Sequence, residues 1–278
     1  MESLVNVFLI GAQKSGTTTL AYLLDQHSKI EVCRPKEPHY FTHHFKKGTK
    51  WYHSLFPNHP KSEIFIDAST SYTMADTGNL KFEGVPEKIY KYNPNAKFIY
   101  ILREPVERAY SGYWHAHRNG RINKSFSESI LDKDFQHLVL SDYNSQLNKY
   151  KPYFEPSNIL LITFEELKEN YQDVVNKCCV FLDLDVEYVK LNSVKNKSHS
   201  ANKFAREIRK INNRFPLLTK IRNFLPRKVV KSIRKLGLNK SIPSMKDSDR
   251  EYLKNYFRSR NDELNKHYDI NIDQWGDY

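Results

Sequence analysis

The distribution of apolar and polar residues predicts a short strand, a tight turn and a helix close to the N-terminus. Four apolar residues at 7–10 are typical of a buried strand, and a turn bounded by Gly11 and Gly16 follows them. Three leucines then recur at helical spacing, namely Leu20, Leu23 and Leu24. Such a turn directs backbone N–H groups and the positive end of a helix dipole at one point. We therefore expect an anionic group, such as phosphate or sulfate, to bind over Lys14 and Gly16.

Similar apolar runs alternate with helical segments along the chain. Further runs typical of strands occupy 29–33, 63–67, 97–102 and 158–164. Helical spacing follows at 86–93, 106–115, 165–181 and 247–267, and 124–151 is helical with polar breaks. Strands that alternate with helices form a parallel sheet covered on both faces. The pattern therefore predicts a three-layer α/β fold with a central, mostly parallel sheet flanked by helices and a P-loop-like strand–loop–helix unit at the N-terminus.

Composition changes this picture little. The 278 residues are 39% hydrophobic and 13% aromatic, which is enough for one core. No linker or repeat divides them, so we expect a single domain over 1–278.

No apolar run approaches the roughly 18 residues of a membrane span, and no secretory signal is visible at 1–20. We expect a cytoplasmic protein without a membrane span. Three cysteines, Cys33, Cys178 and Cys179, are expected to be buried thiols.

The net charge of +12 comes from one segment of the chain. Residues 195–240 contain fifteen Lys and Arg residues and one acid, Glu207, so this segment carries +14 and the remainder about −2. Nucleic acid, an anionic membrane surface or a polyanionic small ligand would suit such a segment, and so would a solvated helical face. Its three phenylalanines are helically spaced, which suits packing better than base stacking. We expect no nucleic-acid partner.

Candidate acid–base groups lie in the loop after the second strand. Two prolines fix the backbone around Glu37. Glu37 and His39 are two residues apart, so in an extended conformation they point the same way and could transfer a proton. A surface loop with incidental polar residues is the alternative. The hydroxyl-rich turn at 68–72, after the third strand, is typical of the carboxyl edge of a parallel sheet, where α/β proteins place their sites.

A second anion site is indicated where the strongest strand ends. Arg103 closes the strand at 97–102, and its planar fork suits a second phosphate. Ser111 lies about two turns into the helix that begins after Pro105. His115 and His117 diverge on this helix, so we assign them no ligand role, and no cluster of residues has metal-ligand spacing.

The glycine spacing also permits a nucleotide P-loop. Gly11 and Gly16 fit that motif, but Thr17 stands where its lysine belongs, and Lys14 lies inside the loop instead. Asp67 follows an apolar strand and could hold magnesium, so a P-loop kinase is the alternative enzyme. A nucleic-acid or anionic-surface binder that uses 195–240 is the alternative without catalysis.

Three separated motifs resemble those of sulfotransferases that use 3′-phosphoadenosine-5′-phosphosulfate (PAPS). They are 14–18 after a strand, 37–41 after the next strand, and 102–105 with Ser111 eight residues beyond Arg103. The chain is most similar to the carbohydrate type that acts on heparan sulfate and to its bacterial homologues. The resemblance extends over most of the chain and is weakest at 205–240.

This resemblance implies transfer of the sulfuryl group from PAPS to a hydroxyl or amine of a carbohydrate or small-molecule natural product, with release of 3′-phosphoadenosine-5′-phosphate (PAP). No metal is required. Glu37 would be the catalytic base, and His39 would lie near the acceptor. The implied donor-binding residues are Lys14 on the bridging oxygen, Ser15, Gly16, Thr17, Thr18 and Thr19 around the 5′-phosphosulfate, Arg103 and Ser111 on the 3′-phosphate, and Lys197, Ser198, Asn202 and Lys203 in a covering loop.

The sequence departs from the resembled enzymes at one position. Those enzymes carry a lysine in the turn after the third strand, where this chain has Ala68. The resemblance therefore does not carry over to this chain either the recognition of a sulfated polysaccharide or a second catalytic lysine.

Overall fold

Five parallel strands form one sheet in the described part of the chain. The structure is a computed structural model that describes residues 4–56, 61–75, 77–191, 242–261 and 263–276. The strands are β1 (Val7–Gly11), β2 (Ile30–Val32), β3 (Ile64–Asp67), β4 (Lys97–Leu102) and β5 (Ile159–Thr163). Their order in the sheet is β2-β3-β1-β4-β5, and every pairing among them is parallel. The predicted parallel sheet is confirmed.

Helices connect the strands and cover both faces of the sheet. They are α1 (Thr17–Leu24), α2 (Gly48–His53), α3 (Val85–Tyr92), α4 (Pro105–Arg118), α5 (Phe126–Ser129), α6 (Gln136–Val139), α7 (Tyr143–Asn148), α8 (Phe164–Glu169), α9 (Tyr171–Phe181), α10 (Asp247–Phe257) and α11 (Leu264–His267). A π-helix spans Tyr40–His44 and a 3₁₀ turn spans Thr70–Thr73.

The helix predicted over 165–181 is divided in the structure. α8 ends before Asn170, whose side chain accepts hydrogen bonds from the N–H groups of Gln172 and Asp173 and so begins α9. An asparagine favours a cap over a helix interior, because its side chain competes with the backbone for hydrogen bonds. The segments predicted at 124–151 and 247–267 are likewise divided into shorter helices.

The sheet is buried on both faces, as a parallel sheet requires. Alternate residues of β1 face opposite sides: Phe8 and Ile10 join a largely aromatic core, whereas Val7 and Leu9 join an aliphatic one. The aromatic core packs under α3 and α7, and the aliphatic core packs under α1 and α9. The predicted three-layer arrangement is confirmed.

Two expectations from composition concern the thiols and the membrane. Cys33, Cys178 and Cys179 are all buried and free, and burial raises the pKa of each thiol, so the expectation of buried thiols is confirmed. Within the ranges given above, none of the helices has the length and apolar character needed to cross a bilayer.

The parallel arrangement brings the candidate residues to one edge of the sheet. The carboxyl ends of parallel strands share an edge, and the loops that leave it hold the sites of α/β proteins. Lys14 follows β1, Glu37 follows β2 and Arg103 follows β4. The turn after β3 lies between the first two loops, because β3 pairs with both β1 and β2.

The packing of the first loop predicts a measurable effect at Gly16. Gly16 has φ +93°, and a Cβ there would lie 2.9 Å from Phe164 and 3.0 Å from Leu167 of α8, whereas Gly84, which precedes α3 in the same left-handed region with φ +64°, has its nearest neighbour at 4.0 Å. Alanine at either position strains the backbone by about 1–2 kcal/mol, and overpacking adds about 1–3 kcal/mol at Gly16 alone. We expect urea unfolding to show a larger loss for Gly16→Ala than for Gly84→Ala. Equal losses would contradict the close packing of this loop on α8.

Candidate active site

The loop after β1 contains hydrogen-bond donors that have no partner, and they lie at the start of α1. Gly16, in the left-handed region, precedes α1, and no side chain caps this helix. Among the described residues, no acceptor binds the N–H groups of Thr17 and Thr18. The hydroxyl of Ser15 is fully buried and has no hydrogen-bond partner. Because buried polar groups are nearly always paired, this arrangement fits an anionic ligand at the start of α1.

α4, which begins at the same edge, is closed to an anion at its N-terminus. The carboxylate of Glu104 accepts hydrogen bonds from the N–H groups of Val106 at 3.0 Å and Glu107 at 2.7 Å. Pro105 occupies the first helical turn, as predicted. The two helix N-termini therefore differ, and only that of α1 is available to a ligand.

Cationic side chains converge near the loop after β1. Burial lowers the pKa of the Lys14 ammonium, and repulsion from Arg118 and then Arg103 lowers it further. The guanidinium of Arg103 also donates a hydrogen bond of 3.4 Å to the carbonyl of Lys14. A bound anion would relieve this repulsion. Arg118 was not predicted, since its position near Lys14 depends on a side chain at the far end of α4.

Several contacts hold Arg103 in position. The hydroxyl of Tyr143 donates to the carbonyl of Arg103 at 2.6 Å and accepts from its N–H at 3.3 Å. The guanidinium lies 5.2 Å from the ring centroid of Phe164 and 3.5 Å from the carboxylate of Glu107. The other oxygen of Glu107 accepts a hydrogen bond of 2.7 Å from Arg250 of α10. A guanidinium has five N–H donors, and these contacts engage one on each terminal nitrogen, so Arg103 keeps donors for a ligand.

Ser111 provides a second buried hydroxyl. It lies within α4 with 7% of its surface exposed, and its Oγ has no hydrogen-bond partner. The structure therefore leaves Ser15 and Ser111, both predicted to bind the donor, with unsatisfied hydroxyl groups. Such a pair is consistent with phosphate or sulfate oxygens as their missing partners.

The candidate base lies in the loop after β2 and is firmly held. Lys36 Nζ donates to Oε1 of Glu37 at 3.0 Å, and Thr70 Oγ1 donates to Oε2 at 3.0 Å. Burial alone would raise the pKa of Glu37, but the Lys36 ammonium, the Thr70 hydrogen bond and His39 outweigh it and hold the pKa below its ordinary value. Glu37 is therefore a carboxylate at neutral pH.

His39 lies beside Glu37, although His39 itself is not in an extended conformation. His39 has φ +51° and starts the π-helix, and its Nε2 lies 3.6 Å from Glu37 Oε2. Its N–H donates to Ser69 Oγ at 2.9 Å, and Nδ1 lies 2.8 Å from Ser71 Oγ. Burial, together with neighbouring cationic groups, lowers its pKa despite the opposing effect of Glu37, so the imidazole is neutral at pH 7. The two side chains lie close together, as predicted, although His39 does not have the extended conformation on which that prediction rested.

A buried carboxylate anchors these loops. Asp67, at the end of β3, is fully buried and accepts hydrogen bonds of 2.6 Å from Tyr52, Tyr72 and Ser69. The same Ser69 hydroxyl accepts the N–H of His39. Burial raises the pKa of Asp67 to about 6, although the three hydroxyls oppose this. The suggestion that Asp67 holds magnesium is wrong, because both of its oxygens are engaged inside the core.

The turn after β3 connects the loop that holds Glu37 to the loop after β1. Thr73 Oγ1 donates to the carbonyl of Ile10 at 2.9 Å, one residue before Gly11. Ala68 binds the loop that holds Glu37 through both of its peptide groups. Its N–H donates to the Lys36 carbonyl at 3.3 Å, and its carbonyl accepts from Lys36 Nζ at 3.1 Å. Lys36, from the neighbouring loop, thus places an ammonium group at this turn, where Ala68 itself provides no cation.

Other predicted residues have different outcomes. Lys197, Ser198, Asn202 and Lys203, with the rest of 195–240, lie outside the described residues. In the described part of the chain, no group of three or more His, Cys, Asp or Glu residues could hold a metal ion. The contacts of Lys36, Thr70 and Ser71 were missed, although the hydroxyl-rich turn after β3 had marked their neighbourhood.

Comparison with known proteins agrees with this geometry. A family model described as the sulfotransferase domain matches residues 5–267. The chain belongs to the sulfotransferase family. The family predicted from three short motifs is thereby confirmed.

Individual relatives match parts of the chain. A bifunctional heparan sulfate N-deacetylase/N-sulfotransferase of Drosophila melanogaster is 28% identical over 208 residues, which are 66% of this chain and 20% of that protein. A heparan sulfate glucosamine 3-O-sulfotransferase 5 of Mus musculus is 31% identical over 167 residues, which are 55% of this chain and 46% of that protein. The chain thus spans less than half the length of these relatives.

The fold also matches a solved structure over its whole length. A sulfotransferase from Alicyclobacillus acidocaldarius covers 99% of both chains with a TM-score of 0.68 and 22% sequence identity. This likeness establishes the fold.

The buried Asp67 predicts a pH-dependent difference in stability. Its pKa is raised from 3.8 to about 6, so its contribution to stability is greatest below the unfolded pKa and is lost as pH rises through the folded pKa. Asparagine at this position cannot ionise. We expect the stability advantage of the natural protein over Asp67→Asn to shrink by about 2 kcal/mol between about pH 4 and about pH 7 in urea unfolding. A pH-independent difference would contradict the assigned ionisation of Asp67.

Proposed function

We propose that this chain transfers the sulfuryl group of PAPS to a hydroxyl or amine of a saccharide or small-molecule acceptor and releases PAP. The observation that carries the proposal is the loop after β1. There, Lys14, Arg103 and the unpaired N–H groups at the start of α1 lie close together. The candidate base, Glu37, follows another strand at the same edge. An anion site and an ionised carboxylate are the two parts that sulfuryl transfer to a hydroxyl requires.

The donor side of the proposal rests on charge and orphaned donors. Sulfuryl transfer, like phosphoryl transfer, requires alignment of the reacting groups and neutralisation of charge that develops on the leaving oxygen. Lys14 lies within the loop, which suits the oxygen that bridges phosphate and sulfate, and the start of α1 suits the remaining oxygens. Arg103 and the buried hydroxyl of Ser111 would hold the 3′-phosphate.

The acceptor side rests on the ionised state of Glu37. A hydroxyl must lose a proton as it attacks, and a carboxylate held below its ordinary pKa is ready to accept it at neutral pH. The neutral imidazole of His39 lies 3.6 Å from this carboxylate and would contact the acceptor. These steps require no metal.

The acceptor class is proposed from the relatives. The two proteins described above are named for sulfation of heparan sulfate, and they match 55–66% of this chain. We infer a saccharide or a small natural product as acceptor, with no nucleic-acid partner. The cytoplasmic location expected from the sequence belongs to the same proposal.

Removal of the cations should weaken product binding. We expect Lys14→Ala and Arg103→Ala each to lower the affinity for PAP by about tenfold or more in calorimetry, because each removes a charge-assisted hydrogen bond worth roughly 1.5–3 kcal/mol. Lys29→Ala is the matched control, since Lys29 forms an exposed ion pair with Glu63 just before β2 begins.

Unchanged PAP affinity in both site variants would overturn the proposed donor site. A comparison of ligands separates the enzyme classes: PAP is expected to raise the melting temperature, whereas stabilisation by ATP with magnesium and not by PAP would favour a kinase.

A further inference from the structure

Lys36 contacts both the candidate base and a fixed part of the sheet. Its Nζ donates to Glu37 Oε1 at 3.0 Å and to the carbonyl of Ala68 at 3.1 Å. Its own carbonyl accepts hydrogen bonds from the N–H of Ala68 at 3.3 Å and from the thiol of Cys33 at 3.1 Å. Residue 36 thus binds both peptide groups of Ala68 while it holds the neighbouring carboxylate.

The contact with Ala68 anchors Lys36 to the core. Ala68 is fully buried and directly follows Asp67, which three hydroxyl groups hold inside the core. The ammonium of Lys36 is therefore fixed against the end of β3, although the residue itself lies in a loop. A carboxylate bound to this ammonium takes its position from the sheet.

The ion pair is largely removed from water. The side chains of Lys36 and Glu37 are 21% and 33% exposed, so solvent screens them less than an ordinary surface pair. By contrast, the ion pair of Lys29 and Glu63 has side chains that are 41% and 58% exposed. The contact at Glu37 is the one expected to influence the ionisation of its carboxylate.

Glu37 keeps capacity for a substrate despite these contacts. Each of its oxygens has one fixed donor, Lys36 on Oε1 and Thr70 on Oε2. A carboxylate has about four lone-pair sites, so roughly one on each oxygen is left for a further donor. His39 Nε2, at 3.6 Å, is too distant for a hydrogen bond. The carboxylate is thus oriented without being saturated.

We propose that Lys36 is a positioning residue, whose ammonium fixes the Glu37 carboxylate to the turn after β3 and maintains it as the anion that accepts the acceptor's proton. This inference rests on the proposed function, because it assigns Glu37 the role of base. Its structural part, the control of Glu37 by Lys36, can be tested without any acceptor.

The groups that face Glu37 determine the sign of the expected effect. They are Lys36 and His39 from its own loop and Thr70 from the turn after β3, while His43 and His44 act on His39. Burial raises the pKa of Glu37, and Lys36 is the largest opposing influence. Removal of the ammonium should therefore raise the pKa of Glu37.

The test is an NMR titration of carbon-labelled glutamate side chains in the whole chain. The Glu37 signal is assigned by its loss in Glu37→Gln. In Lys36→Met we expect the midpoint to move upward by about one pH unit or more, since a contacting opposite charge typically shifts it by one to three units. The matched control Lys29→Met should leave the midpoint in place.

Two further variants distinguish positioning from packing. Lys36→Arg retains a cation and should keep the midpoint close to its natural value. Lys36→Gln retains a hydrogen-bond donor without charge and should show the upward shift even if Lys36→Met does not fold. An unchanged midpoint in the uncharged variants, with only a lower melting temperature, would overturn the proposal. Loss of PAP binding is not expected in these variants, so failure of the natural protein to bind PAP would instead count against the donor site.

Discussion

The buried carboxylate of Asp67 is the interaction on which the acceptor side of the site depends. It accepts three short hydrogen bonds from hydroxyl groups, one of them from Ser69, which in turn binds the backbone of His39. The next residue, Ala68, holds Lys36 through both of its peptide groups. A single charge buried at the end of β3 therefore organises the loop that carries the candidate base. Such a charge is costly to bury, and its full set of hydrogen-bond donors is what makes it tolerable.

The two halves of the site are organised by opposite electrostatic means. On the donor side, Lys14 is partly buried near Arg103 and Arg118, so its positive charge is destabilised until an anion binds. On the acceptor side, the negative charge of Glu37 is stabilised in advance by Lys36 and Thr70. The arrangement favours binding of an anionic donor and readiness of a base at the same edge of one sheet. Both properties suit a reaction in which negative charge develops on the leaving oxygen.

The sequence predicted local features well and contacts between distant segments poorly. The strands, their parallel arrangement and the loop at 11–16 follow from apolar runs and glycine spacing, which act over a few residues. The division of one predicted helix at Asn170 depends on a side-chain cap that the periodicity does not reveal. The contact of Lys36 with Ala68 joins residues 32 positions apart, and no pattern within either segment indicates it. The proximity of Arg118 to Lys14 is hidden for the same reason.

The most direct test of the account is incubation of the protein with radiolabelled PAPS and a panel of saccharides and small natural products that bear hydroxyl or amine groups. The account predicts that label passes from PAPS to an acceptor. It also predicts that Glu37→Gln slows this transfer by about 10²–10⁴-fold without loss of PAP affinity, as expected for removal of a general base. Transfer at the full rate in Glu37→Gln, or magnesium-dependent phosphate transfer from ATP with none from PAPS, would contradict it.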